Sequence, residues 1–182
     1  MTLPKIIFTV PNLITTIRII LIPIFLLLLL SPSPSHNLLA ALVFAFSGLT
    51  DFLDGYIART FKQTSSSGEI LDPLADKLTM ISAFLALYFK AVIPIWIVII
   101  ILFRELSILI LGFVIIIRKQ TFIEPSRWGK YTTLILYITV IAYILDLPYT
   151  YPLVLIAVAM ALLSAIGYLM GGIKVFKDWS KI

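Results

Sequence analysis

The chain has 182 residues, of which 61% are hydrophobic and 13% charged, and its mean hydropathy of +1.11 excludes an ordinary soluble globular domain. It contains no cysteine, which excludes disulfides, thiolate metal sites and cysteine nucleophiles. The basic residues that give the formal charge of +5 are dispersed along segment ends rather than clustered on one face, so no nucleic acid partner is expected.

Six apolar stretches follow one another along the chain, each close to the length that a membrane-spanning helix needs. They cover residues 12–30, 37–58, 73–90, 94–117, 126–145 and 152–175. Prolines stand where helices can begin, because a proline in the first turn loses no intrahelical hydrogen bond: Pro73, Pro94, Pro125 and Pro152. The sequence therefore predicts an all-α membrane protein, a six-transmembrane-helix bundle that forms a single domain over residues 1–182.

Lysine and arginine are distributed unevenly between the two sides of this predicted bundle. One side carries only Lys90, whereas the second loop, the fourth loop and both terminal segments carry most of the other basic residues. Positively charged flanks stay on the cytoplasmic side of a membrane. We therefore expect both termini and the second loop to face the cytoplasm.

Four aspartates cluster around the second loop. They are Asp51, Asp54, Asp72 and Asp76. The first two are three residues apart and the last two are four apart, so each pair shares one helix face, and antiparallel neighbours would bring the pairs together. Converging carboxylates repel unless neutralised, and Mg²⁺, Mn²⁺ and Ca²⁺ prefer all-oxygen ligand sets. The spacing predicts a site for one or two divalent cations; helix caps or surface ion pairs are the alternative.

A longer motif contains the same aspartates: Asp51-x-x-Asp54-Gly55-x-x-Ala58-Arg59, eight further residues, then Gly68-x-x-x-Asp72-x-x-x-Asp76. This pattern resembles the signature of the CDP-alcohol phosphatidyltransferase family, and all eight of its defining residues are present. The resemblance implies a homodimeric membrane enzyme that transfers a phosphatidyl group from CDP-diacylglycerol to an alcohol and releases CMP. It also implies an active site at the cytoplasmic end of the helix bundle.

The resemblance further implies a role for each matching residue. Two ions of Mg²⁺ or Mn²⁺ would be held by the four aspartates, with Asp76 also serving as the general base. The nucleotide side of the CDP-lipid would be bound by Gly55, Ala58, Arg59 and Gly68. Weaker candidates on the first helix are Asn12 and Thr15, for CDP-lipid binding, and Arg18, in a Pro-Asn-Leu-Ile-Thr-Thr-Ile-Arg run that also resembles family members. A capped helix start and a snorkelling Arg18 are the alternative there.

The acceptor alcohol is indicated by basic residues elsewhere in the chain. Arg104 lies within an apolar run, and an intramembrane arginine suggests a function unless it pairs with Glu105 or with one of the aspartates. The segment 93–105 and the Trp128-Gly129-Lys130 run resemble bacterial phosphatidylglycerophosphate synthases, which implies that Arg104 and Lys130 hold the phosphate of glycerol 3-phosphate. The chain departs from that pattern at Thr132, where such synthases carry a second lysine.

Several alternatives remain at this stage, among them an inositol-phosphate or serine acceptor, which no feature favours, and a catalytically inactive bundle, against which the intact Asp76 argues. Arg104-Glu105 followed by an apolar run and Arg118 also resembles eukaryotic-type cardiolipin synthases, whose acceptor is phosphatidylglycerol. A metal-binding membrane carrier is a further alternative, because acidic residues also line cation pathways. The grouping of the carboxylates at one membrane face argues against a carrier. The preferred interpretation is a phosphatidylglycerophosphate-forming enzyme of a bacterial cytoplasmic membrane.

Overall fold

Helices form almost all of the chain that the computed structural model describes, which is residues 10–61, 68–117 and 127–179, with side chains described for 13–33, 35–51, 71–114 and 128–168. The helices in these ranges are α1 (Val10–Leu30), α2 (Pro34–Phe61), α3 (Gly68–Phe89), α4 (Ile95–Ile117), α5 (Arg127–Ile144) and α6 (Thr150–Trp179). The predicted all-α class is confirmed.

Three of the prolines expected at helix starts occupy different positions relative to their helices. Pro94 immediately precedes α4, and its carbonyl accepts a hydrogen bond from the Ile97 amide at 3.2 Å. Pro152 lies in the first turn of α6, as predicted. The prediction that Pro73 begins a helix was wrong, since α3 begins at Gly68 and contains Pro73 in its second turn. Pro73 keeps a helical φ but cannot donate a backbone hydrogen bond to the preceding turn of α3. Pro125 lies outside the described residues.

Short connections join α1 to α2, α3 to α4 and α5 to α6, so the helices of each pair run antiparallel. These connections lie together at one end of the bundle, which we call the connection end. There the Lys90 ammonium at the end of α3 donates to Asn37 Oδ1 near the start of α2 at 3.2 Å. The opposite end, called the carboxylate end, therefore contains the start of α1, the end of α2 and the starts of α3 and α5.

Backbone caps close two of the helices at the connection end. After α3, Ala91 has a φ of 56° and the Val92 amide donates to the Leu87 carbonyl at 3.1 Å. After α5, Asp146 has a φ of 50° and the Leu147 amide donates to the Ala142 carbonyl at 3.0 Å. Each is a left-handed cap that satisfies carbonyls left without a partner at the helix end. The chain can then reverse within a few residues.

The bundle has an apolar interior and an apolar exterior. Phe25, Phe44, Phe84 and Leu136 are among the fully buried residues of the core. Large apolar side chains such as Leu27, 75% exposed, also cover the outside. Three helices contain stretches long and apolar enough to cross a membrane: Leu13–Leu30, Ile95–Val114 and Thr150–Tyr168. The protein is therefore an all-α membrane protein whose outer surface suits lipid.

Exposed aromatic side chains mark the two ends of the bundle. Trp96, Tyr149 and Tyr151 lie near the connection end, and Trp128 and Tyr131 lie in the first turns of α5 at the carboxylate end. Tryptophan and tyrosine prefer the boundary between lipid tails and water, where an apolar ring can carry a hydrated polar atom. Their positions fit a bilayer lying across the middle of the bundle.

Candidate active site

Helix α1 brings together carboxylates from two other helices. Within the part of the chain that the structure describes, α1 packs against both α2 and α3, whereas α2 and α3 make few contacts with each other. The buried Arg18 guanidinium contacts Asp51 Oδ1 of α2 at 2.5 Å, and the buried Thr15 hydroxyl donates to Asp72 Oδ1 of α3. Thr15 and Arg18 are one turn apart on α1. Asp51 and Asp72 consequently lie at the same depth of the bundle.

Asp76 follows Asp72 by one turn of α3 and is held through both of its carboxylate oxygens. The Lys77 ammonium donates to Oδ2 at 2.6 Å, and the Tyr137 hydroxyl of α5 donates to Oδ1 at 3.3 Å. The Arg18 guanidinium also interacts electrostatically with Asp76. The Asp76 side chain is 15% exposed and that of Asp51 is 40% exposed. Asp51 is thus the more open of these two carboxylates.

The donor chemistry of this region fits hard divalent cations, which bind carboxylate oxygens. Asp51, Asp72 and Asp76 supply only such oxygens, and each already has an Arg, Thr, Lys or Tyr side chain as a donor. Among the residues whose side chains are described, no three acidic or histidine side chains form a group able to hold a metal ion. The fourth predicted ligand, Asp54, lies on α2 with its side chain outside the described residues.

Several predicted CDP-lipid residues share this position outside the described side chains. They are Asn12 on α1, Gly55, Ala58 and Arg59 near the end of α2, and Gly68 at the start of α3. Thr15 is described, and its hydroxyl donates to Asp72. The helix ends that carry all six residues lie at the carboxylate end of the bundle.

Arg104 and Glu105 form a buried ion pair in the middle of α4. Both residues are at most 1% exposed, and Arg104 Nη1 donates to Glu105 Oε1. Arg104 Nη2 donates to the Gly129 carbonyl and to Thr133 Oγ1, each at 3.2 Å. The pairing with Glu105 considered from the sequence is therefore present. Lys130 follows Gly129 on α5 and is exposed, so the two predicted acceptor residues lie on adjoining parts of α4 and α5.

Lys77 connects this ion pair to the aspartates. Its ammonium lies 3.0 Å from Glu105 Oε2 as well as 2.6 Å from Asp76 Oδ2. Asp76, Lys77, Glu105 and Arg104 thus form a row of alternating charges across α3 and α4 whose formal sum is zero. Burying charges is tolerable only when each has such partners.

Comparison with known proteins identifies the family of the chain that carries this site. The CDP-alcohol phosphatidyltransferase family matches the chain over residues 8–166. The chain belongs to this family. The family and the enzyme class predicted from the sequence, a CDP-alcohol phosphatidyltransferase, are thereby confirmed, and the carrier alternative loses its basis.

Individual phosphatidyltransferases are similar over most of their length. A CDP-diacylglycerol–glycerol-3-phosphate 3-phosphatidyltransferase of Aquifex aeolicus is 35% identical over 181 residues, 93% of this chain and 99% of that protein. The enzyme of the same name from Haemophilus influenzae is 38% identical over 130 residues, 69% of this chain and 70% of the relative. A cardiolipin synthase (CMP-forming) of Streptomyces coelicolor is 32% identical over 170 residues, 91% of this chain and 73% of the relative.

Two residues near the aspartates of this phosphatidyltransferase, Glu105 beside Lys77 and Tyr137 beside Asp76, are not recognisable as site residues from the family motif. Glu105 gives one signal, because it and Arg104 are the only charged residues in α4, and a lone acidic residue in an apolar helix needs a buried partner. Tyr137 gives none. It is one of eight tyrosines in the chain, and only the packing of α5 shows that its hydroxyl reaches Asp76.

Proposed function

We propose that this phosphatidyltransferase transfers a phosphatidyl group from CDP-diacylglycerol to glycerol 3-phosphate, forming phosphatidylglycerophosphate and releasing CMP. The observation that carries the proposal is that Thr15 and Arg18, one turn apart on α1, contact Asp72 and Asp51, in a member of this family. The Aquifex and Haemophilus relatives, which are named for this reaction, support glycerol 3-phosphate as the acceptor.

In the proposed reaction a hydroxyl oxygen of the acceptor attacks the phosphorus that carries the diacylglycerol. The bond between that phosphorus and the oxygen bridging to the cytidylate breaks, and CMP leaves with the bonding electrons. Asp76 accepts the proton of the attacking hydroxyl, a role that suits a carboxylate fixed through both oxygens. The base is thus oriented before the acceptor arrives.

Asp51, Asp54, Asp72 and Asp76 would hold two ions of Mg²⁺ or Mn²⁺. When bound, these ions would neutralise the diphosphate and stabilise CMP as the leaving group. The Asp51 side chain is 40% exposed while it contacts Arg18, and this partial exposure supports the proposal. Thr15 and Arg18 contribute by fixing Asp72 and Asp51 at one depth.

The two substrates would bind on either side of these aspartates. The cytidine and diphosphate would lie against the predicted CDP-lipid residues, which are Gly55, Ala58, Arg59, Gly68, Asn12 and Thr15. The phosphate of the acceptor would bind Lys130, which is exposed, together with Arg104. Because Arg104 is buried against Glu105, that phosphate competes with a carboxylate for the guanidinium. Lys130 is accordingly the first contact and Arg104 the second.

We place the protein as one domain over residues 1–182 with six membrane spans, both termini and the active site at the cytoplasmic face of a bacterial membrane, and two copies in a homodimer. The alternation of helix direction and the exposed aromatic residues at the two ends support the spans. The predominance of basic residues on one side supports the orientation. The lipid tails would then approach from the bilayer and the soluble acceptor from water.

The acceptor is tested by giving the purified protein CDP-diacylglycerol and Mn²⁺ with glycerol 3-phosphate, with phosphatidylglycerol, or with neither. Mass spectrometry of the lipids and release of CMP are measured in parallel. We expect CMP and phosphatidylglycerophosphate only with glycerol 3-phosphate. Cardiolipin formation from phosphatidylglycerol would favour the second candidate, which the Streptomyces relative supports. Release of CMP in none of the mixtures would end the enzyme assignment for this chain.

A further inference from the structure

Tyr137 reaches the carboxylate end from a helix that supplies none of the predicted metal ligands. We propose that it is a positioning residue, which fixes the orientation of the Asp76 carboxylate through its hydroxyl. The proposal rests on the proposed function, because Asp76 matters as the base and metal ligand of the transfer. Nothing in the family motif includes this tyrosine, which lies 61 residues after Asp76.

The first argument is the division of the Asp76 oxygens between two donors. Lys77 donates to Oδ2 from the same helix, and Tyr137 donates to Oδ1 from α5. One donor alone leaves a carboxylate free to rotate about its terminal bond, a torsion that is intrinsically broad. Two donors on different oxygens, fixed to different helices, restrict that rotation and leave the remaining lone pairs in set directions.

The second argument is that the Tyr137 ring is itself fixed in position by contacts with α2. Its centroid lies 4.9 Å from that of Phe44, which in turn lies 5.2 Å from that of Phe25. On α2 the ring lies against Gly48, where an added Cβ would come within 2.8 Å of Tyr137 Cε1. Only a residue without a side chain leaves room for the ring in this position. Gly48 therefore helps to set the position of the Tyr137 ring.

A purely structural tyrosine is the competing explanation, since its ring packs against the apolar core. The two explanations differ in what loss of the hydroxyl does. Replacing Tyr137 by Phe keeps the ring and its aromatic contacts and removes only the donor to Asp76. A structural residue would tolerate this change, whereas a positioning residue would not.

The test compares Tyr137→Phe with the wild type in two assays. We expect kcat for CMP release to fall by about 10- to 100-fold while the KM for CDP-diacylglycerol stays within about twofold, as for other residues that support a ligating carboxylate. We also expect the affinity of the substrate-free protein for Mn²⁺, measured by electron paramagnetic resonance, to fall by about tenfold. The matched control is Tyr143→Phe, the same change six residues further along α5, which should match the wild type.

Unchanged kcat and unchanged Mn²⁺ affinity in Tyr137→Phe would overturn the proposal while leaving the proposed function intact. A wild type that releases no CMP would instead remove the proposed function. Losses in Tyr137→Phe that follow only from a lowered melting temperature would also count against a positioning role. The melting temperature of each variant is therefore measured in the same detergent.

Gly48→Ala provides a second route to the same result, because the new methyl group must displace the Tyr137 ring. We expect it to lower kcat and Mn²⁺ affinity as Tyr137→Phe does, and the double variant to lose little more than the stronger single variant. Gly112→Ala on α4 is the matched control, since a Cβ there meets no atom within 4 Å. Fully additive losses in the double variant would show that Gly48 and Tyr137 act separately and contradict the proposal.

Discussion

Different kinds of interaction join the helices at the two ends of the bundle. At the connection end, short loops, left-handed caps and apolar packing join the helices, as at Ala91 and Asp146. At the carboxylate end, side-chain pairs such as Arg18 with Asp51 and Lys77 with Glu105 join them. Backbone caps only stabilise the fold. A charged side chain in an ion pair can also bind a ligand in place of its partner. Variants at the two ends should therefore differ in what they damage.

The largest difference is expected from Asp76→Asn. Loss of the base should lower kcat by about 10²- to 10⁴-fold, while CDP-diacylglycerol binding stays close to the wild type. CMP release and lipid binding are measured separately. Asp146→Asn, the same change at the connection end, is the control and should leave turnover unchanged; an equal loss of lipid binding in Asp76→Asn would contradict the assignment of Asp76 as base.

Glu105→Gln should damage stability. The change leaves Lys77 and Arg104, two buried cations, with a single carboxylate at Asp76. Removing one partner of a buried ion pair costs about 3–5 kcal/mol, which reversible unfolding in mixed micelles would measure. Lys90→Gln at the connection end removes an exposed contact to Asn37 and should change the free energy of unfolding by less than about 0.5 kcal/mol. Similar effects of the two variants would remove the proposed contrast between the ends.

Lys130→Ala should affect one substrate only. Lys130 is exposed and adjoins the Arg104 pair, so loss of its charge should raise the KM for glycerol 3-phosphate about tenfold. The KM for CDP-diacylglycerol should stay within about twofold. Steady-state kinetics with each substrate varied in turn would measure this. A parallel rise in both constants would point to another acceptor site.

The smallest effect is expected at the connection end, from Ala91→Gly. Ala91 has a φ of 56°, a conformation that glycine adopts without a steric penalty, so the change should stabilise the protein by about 0.5–1 kcal/mol. Turnover should not change. Thermal unfolding and CMP release are the measurements, and Ala86→Gly within α3 is the opposite control, expected to destabilise. A loss of activity in Ala91→Gly would show that the connection end also shapes the site.

Hydrophobic stretches and the aspartate spacing predict much of what distinguishes these ends. The order of six helices follows from apolar length, and the sharing of a helix face follows from the separation of Asp72 and Asp76. Helix starts are harder to predict, because local residues do not show how far a helix extends before its first apolar turn. For this reason α3 begins at Gly68, before the predicted start at Pro73.

Contacts between distant segments are what the sequence does not predict. The pairing of Thr15 with Asp72 and of Tyr137 with Asp76 spans 57 and 61 residues, and neither follows from any local period. Lys77 adjoins Asp76 in the sequence, yet it also contacts Glu105 on another helix. Such pairs depend on how the helices pack against one another, and the local sequence pattern does not determine that packing.

The placement of α1 between α2 and α3 has a consequence for truncated forms of the protein. A fragment beginning after Leu30 would keep all four motif aspartates in its sequence, but Asp51 and Asp72 would lose the Arg18 and Thr15 side chains that hold them. The segment that carries the four motif aspartates is thus incomplete without α1. Adding α1 back as a separate peptide should restore what the fragment lacks, since its contribution is made through side chains and needs no covalent continuity.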